Sequence, residues 1–195
     1  CGLAGSADVL GDDAWVQVVV ASAFRDRGHR LASCSRRFAE LWDVCKDLAL
    51  ASPCRFVSGS KNGTLRLWSL NGCERCFLSP TGRSEGATDG IVRCVAWLGG
   101  GRFVSGSSDG SLRLWSCDGD GQPERSFLGH EAGVASVAVL DDGRNEERII
   151  SGSDDAKLKL WSVVDGACER TFVGHWGSVL CIAAQPSSGC FVSGS

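Results

Sequence analysis

The chain has 195 residues, 43% of them hydrophobic and 22% charged, with a net charge of −3. It is long enough to bury a sizeable core, and it offers no basic balance for holding nucleic acid as a main partner. Its most apolar run, residues 15–24, is too short and too interrupted to cross a bilayer as a helix, and no signal peptide is visible.

Residues 1–13 contain Gly and Ala without periodicity and are expected to be irregular. A first unit, about 14–44, reads as strands at 15–24, 30–35 and 38–44. The second, about 45–78, places an inner strand at 46–51, a hairpin at 55–60 and 64–69, and an outer strand at 74–78. A polar loop at 79–90, with Pro80 and several glycines, is expected to be the most mobile interior stretch. The third unit, about 88–128, takes strands at 91–98, 102–107, 111–116 and 124–128. The fourth, about 130–173, takes 134–140, 148–153, 157–162 and 169–173. A fifth, 175–195, begins at 179–184 and stops before a third strand. With no methionine in the chain and the last unit cut short, we expect a fragment of a longer protein.

The units are copies of one another. SGSSDGSLRLW, from Ser105 to Trp115, recurs as SGSKNGTLRLW ending at Trp68 and as SGSDDAKLKLW ending at Trp161. The tryptophans fall at intervals of roughly 46 residues, a period of stacked repeats. Each copy reads as a hairpin: an extended run, a turn favouring positive φ, and an alternating run back. Glu-Arg-x-Phe follows at Glu74, Glu124 and Glu169, and Gly-His pairs precede the inner strands at His130 and His175. Four short strands per unit, a Gly-His ahead of the first and a Trp closing the third, resemble the WD-repeat (WD40) family. That resemblance implies an all-β fold, a partial and open β-propeller of about four to five blades over residues 14–195. A seven-bladed ring would need roughly 300 residues.

At the positions of that family's buried hydrogen-bond set stand His130, Ser151, Ser153, Asp155 and Trp161, with Ser105, Ser107, Asp109 and Trp115 one unit earlier. An indole donor, a hydroxyl that accepts and donates, and a neutral imidazole bridging to a carboxylate make a self-satisfying chain. An Asp–His–Ser trio also suggests a hydrolase triad. However, a nucleophile needs exposure beside an oxyanion hole, and these serines lie mid-strand in a repeating scaffold. Unit three lacks the His, so replacing Asp109 is expected to be milder than replacing Asp155. Arg66, Arg113 and Lys159, two residues before each Trp, are expected to lay their stems along the strand with heads in water. Arg75, Arg125 and Arg170 suit a charged edge.

Eleven cysteines occupy repeat slots filled elsewhere by other small residues. Cys73-Glu-Arg-Cys76 looks like a redox or zinc element, but no second CxxC completes a four-thiolate site. We expect free thiols, no disulfide, no metal and no cofactor, and an intracellular location, cytoplasmic or nuclear. The first unit poses a length problem. Between Trp42 and Arg55 the chain has room for one strand where the matching stretch from Trp115 to Arg148 has two. We expect about twenty residues to be missing there relative to the period, and the first unit to be three-stranded or irregular.

No phosphate loop, metal cluster or nucleophile–base pair emerges. The resemblance implies a non-catalytic scaffold or adaptor binding other proteins, through loops that lie on one face in such propellers. Those loops hold Trp176, Glu131, Lys61, Ser108 and Asp154. Trp176 reads as an anchor for a partner or as an inter-blade packing residue. The alternative function is a regulatory propeller of a larger enzyme, such as a kinase, an NTPase or a ubiquitin-ligase substrate receptor.

Overall fold

Each SGS-turn-LxLW copy folds as the expected hairpin, and each hairpin is the centre of its own sheet. The computed structural model describes residues 17–19, 55–69, 72–78, 90–140, 147–185 and 189–195, and among them every regular element is a strand. The first sheet contains β1 (Gln17–Val19), β2 (Arg55–Gly59), β3 (Thr64–Ser69) and β4 (Gly72–Leu78). The second contains β5 (Val92–Gly99), β6 (Arg102–Ser107), β7 (Leu112–Ser116) and β8 (Arg125–Phe127). The third contains β9 (Val134–Leu140), β10 (Arg148–Ser153), β11 (Lys157–Ser162) and β12 (Cys168–Val173). The last pairs β13 (Cys181–Ala184) with β14 (Phe191–Gly194). All pairings are antiparallel between neighbours in the order β1-β2-β3-β4, β5-β6-β7-β8, β12-β11-β10-β9 and β13-β14.

The sheets pack face to face as consecutive blades, because successive side chains point to opposite faces and adjacent apolar pairs such as Phe56-Val57, Phe103-Val104 and Ile149-Ile150 supply both. Between the first and second sheets lie Val57, Leu67 and Phe77 against Val95, Phe103 and Trp115. Between the second and third lie Val104, Leu114 and Phe127 against Val137, Ile149 and Trp161. Ile150 and Leu158 of the third meet Val179, Ile182 and Phe191 of the last. The Phe of Glu-Arg-x-Phe meets the Trp of the next blade edge-to-face at each completed joint: Phe77–Trp115 at 5.7 Å and Phe127–Trp161 at 6.0 Å.

The middle glycine of each SGS is required for space, since its φ is not positive. A Cβ on Gly59 would lie 2.3 Å from Val92 Cγ1. One on Gly106 would lie 2.8 Å from Val134 Cγ1, and one on Gly152 2.6 Å from Val179 Cγ1. At each of these three joints a valine at the start of the next blade, in its inner strand (Val92, Val134) or just ahead of it (Val179), wedges into that gap.

Two expectations change. The edge of β2 assigned to residues 46–51 is paired with β1, Val18 opposite Ser58, so the inner strand of the second blade comes from the first unit. Residues 46–51 themselves, the junction at 44–46 and nearly all of the 79–90 loop lie outside the described residues. The outer-strand arginines are also more than a charged edge. Arg75 donates to the carbonyls of Cys117 (2.9 Å) and Gly119, and Arg125 to that of Asp165 (2.8 Å). Each ties an outer strand to the turn after the Trp of the next blade. Arg170 instead lies over the Phe172 ring at 5.5 Å.

Candidate functional site

One end of each blade is built from the turn between its second and third strands and the loop ahead of its first. A residue with a side-chain oxygen starts each turn's hydrogen bonding. Asn62, Asp109 and Asp155 accept from the backbone N–H two residues on, at 3.2, 2.9 and 2.9 Å. The next position takes a positive φ, at Gly63 (78°), Gly110 (81°) and, in the fourth unit, a non-glycine, Ala156 (62°).

The loop before β9 is locked to this turn through His130. Trp161 Nε1–H donates to Ser151 Oγ at 2.8 Å, and the same oxygen lies 2.8 Å from His130 Nε2. His130 Nδ1 lies 2.8 Å from Asp155 Oδ2, which also accepts from the Glu131 backbone N–H at 3.1 Å. With Nδ1–H donating to the carboxylate, Nε2 is free to accept the Ser151 hydroxyl proton. Ser153 takes a neighbouring role, donating to the Ala132 carbonyl at 3.0 Å and accepting from the Asp155 N–H at 3.1 Å.

Burial holds the His130 pKa below its usual value despite the Asp155 carboxylate beside it, so the imidazole is neutral. Burial also works against the charge on Asp155. The His130 and backbone donors outweigh it and hold its pKa below the ordinary carboxylate value. These distances match those of a catalytic triad. Ser151 is 0% exposed, however, and its hydroxyl oxygen is already occupied by Trp161. A hydroxyl no substrate can touch is no nucleophile, and what the set can do is fasten a loop to a hairpin.

The other units vary the set. Trp115 donates to Ser105 Oγ at 2.9 Å, and Trp68 to Ser58 Oγ at 2.8 Å. Ser107 accepts from the Asp109 N–H at 3.4 Å. Asp109, whose unit has no His, accepts from Arg113 at 2.8 Å and from the Ser111 hydroxyl at 2.5 Å. The Arg113 side chain is 8% exposed, which corrects the expectation that its head reaches water. Arg66 lies with its guanidinium 6.0 Å from the Trp68 ring, and Lys159 Nζ donates to Thr171 at 3.0 Å. Sequence reasoning missed Arg113 as a carboxylate partner. The vacant His slot together with Asp109-x-Ser-x-Arg113 across a tight turn was the available signal.

Above this support lie the five surface candidates. Trp176 is 102% exposed, and Lys61 and Glu131 are exposed. Glu131 pairs with Lys157 at 3.0 Å, and Asp154, also exposed, pairs with Arg93 of the preceding blade. Ser108 is half-buried, its hydroxyl accepting from the Ile91 N–H at 3.1 Å, so it supports the loop rather than presenting a contact. Beneath Trp176, His175 is held by Ser193 at 2.7 Å and Ser195 at 3.0 Å. Among the described residues no group of three or more His, Cys, Asp or Glu side chains could hold a metal ion.

The family model for the WD domain, G-beta repeat matches residues 45–69, 78–116, 121–162 and 166–195, more than half of the chain. Among solved structures the chain is similar to the WD40 beta propeller domain of Doa1, with 25% identity, 72% of this chain and 43% of that one covered, and a TM-score of 0.61. It shares its fold with a chain of the Mitotic Checkpoint Complex (19% identity, 72% and 40% covered, TM-score 0.61). The same holds for the RRP9 WD40 repeats (22% identity, 71% and 41% covered, TM-score 0.60). The chain thus spans less than half the length of each of these chains. A comparison with curated proteins gave no match. Domains of this kind are generally protein-interaction platforms without catalysis of their own. Four matched repeats, on three four-stranded sheets and one two-stranded one among the described residues, with a Trp–Ser–His–Asp set fastening loop to hairpin in one of them, make this chain a member of the WD40-repeat family, a partial and open β-propeller.

Proposed function

We propose that the chain is a non-catalytic scaffold that binds other proteins through the face bearing Lys61, Glu131, Asp154 and Trp176, with Trp176 as the anchor. The observation that carries this reading is a fully exposed indole on a loop whose neighbouring residue, His175, is held by two serines. An aromatic presented from a restrained backbone loses little conformational entropy on binding, which is what interface anchors require. The ion pairs Glu131–Lys157 and Asp154–Arg93 would form a polar rim. We infer an intracellular setting from the sequence, since the cysteines fill repeat slots that other small residues take in neighbouring units.

The test is proximity labelling in cells with the wild-type chain, Trp176→Ala and Val164→Ala. Val164 is another exposed apolar residue (77% exposed), in the turn between β11 and β12 at the other end of its blade. Loss of a shared set of labelled proteins in Trp176→Ala, with the set retained in Val164→Ala, is the expected outcome. Identical sets for all three would overturn the assignment of the face.

A further inference from the structure

On β4 the sulfurs of Cys73 and Cys76 lie 3.8 Å apart, and both residues are exposed. Side chains three apart on a regular strand point to opposite faces. Here a β-bulge restores them to one face. Arg66 pairs with Cys76 and Trp68 with Cys73, leaving Glu74 as the extra residue. The arrangement belongs to the repeat. On β12 the same bulge, with Glu169 extra, sets Cys168 Sγ 3.8 Å from Thr171 Oγ1. The blade therefore brings two side chains together at this position whatever they are, and in the first sheet both are thiols.

In the reduced chain this separation is that of a thiol–thiol hydrogen bond, and it suits one of two further chemistries better than the other. A disulfide needs sulfurs about 2.05 Å apart, and the pair would have to close by about 1.8 Å against a register fixed by β3. Two zinc–sulfur bonds of about 2.3 Å meeting near the tetrahedral angle place their sulfurs about 3.8 Å apart, and the larger cadmium ion asks only for a slight widening by side-chain rotation. We propose that Cys73 and Cys76 are a two-thiolate seat for a thiophilic divalent cation of the zinc or cadmium kind, with its outward coordination positions open to water. Binding replaces two S–H protons with two sulfur–metal bonds and releases both protons to solvent, leaving two thiolates and a dication with no net charge. The Arg66 guanidinium on the facing strand lowers the Cys73 pKa, although burial and the Cys76 neighbour raise it overall. The Cys73 thiol also lies 3.6 Å from the Arg75 carbonyl, a contact that metal binding would break.

The probe is cadmium ion, titrated into the fully reduced chain while sulfur-to-metal charge-transfer absorption is followed. Cys76→Ser and Cys73→Ser should each lose one bound equivalent relative to the wild type. Ser126 fills the Cys76 position in the second sheet, so serine fits there. Thr171→Cys should gain one equivalent by completing the matching pair with Cys168. Unchanged stoichiometry in the serine variants, with circular dichroism showing them folded, would overturn the proposal.

Discussion

Ser151 is the residue on which the fourth blade's polar interior turns, because one buried oxygen serves both Trp161 and His130. Removing it leaves an indole N–H and an imidazole nitrogen without partners at a site with no water access. Ser151→Ala should therefore cost about 3 kcal/mol, against about 1–2 kcal/mol for Ser105→Ala, where the Trp115 bond is lost. Urea denaturation of the two variants checks the order. Acid should act through the same group. His130 is held neutral with its pKa below the unfolded value of 6.5, so its contribution is complete above that value and is lost as pH falls through the folded pKa. Asp155 and Asp109, both depressed from 3.8, add losses of the same sign at lower pH. Melting temperature should hold from pH 8 to 7 and fall below about 6.5, and His130→Gln should flatten the upper part of that fall. The residues of this set were legible as types at repeat positions. The partner of Asp109 was not, because Arg113 looked like its surface counterparts Arg66 and Lys159. With Arg113 buried against Asp109, the ground for ranking Asp109 as the milder replacement disappears: Asp109→Ala strands a buried guanidinium.

At the scale of the element, the hairpins follow from local chemistry. Three of the turns share an oxygen-bearing residue followed by a left-handed one, and two of them supply glycine there. The fourth unit supplies Ala156 at φ 62°, a conformation that costs an L-residue about 1 kcal/mol. Ala156→Gly should raise stability by up to that amount in thermal melts, reduced by the greater freedom glycine gives the unfolded chain. The strands within each hairpin could be read from alternation. Pairing over distance could not, since nothing in Gln17–Val19 specifies the edge of β2 rather than a blade of its own. The bulges at Glu74 and Glu169 were equally hidden, because an extra residue on an outer strand leaves the local composition unchanged.

At the scale of the molecule, the seams between sheets repeat more faithfully than the sheets do. Each has a glycine gap on one blade and a valine on the next, and two add a Phe against a Trp and an arginine reaching a turn carbonyl. Gly106→Ala places a methyl group against Cys94 Sγ and Val134 Cγ1, and such overpacking costs about 1–3 kcal/mol. Adding Val134→Ala should recover part of that loss, giving a coupling energy in a double-mutant cycle; strict additivity would mean the wedge is not the cause.

The glycine–valine seam also has a direction. Each of the three described joints sets a glycine socket on one blade against a valine knob of the next. Val92, Val134 and Val179 are interchangeable parts for Gly59, Gly106 and Gly152. Excising one whole period, so that Val179 follows the Gly106 sheet, would rebuild the same joint one unit shorter. A gene that grows or shrinks by whole units can therefore change the number of blades without redesigning a single interface.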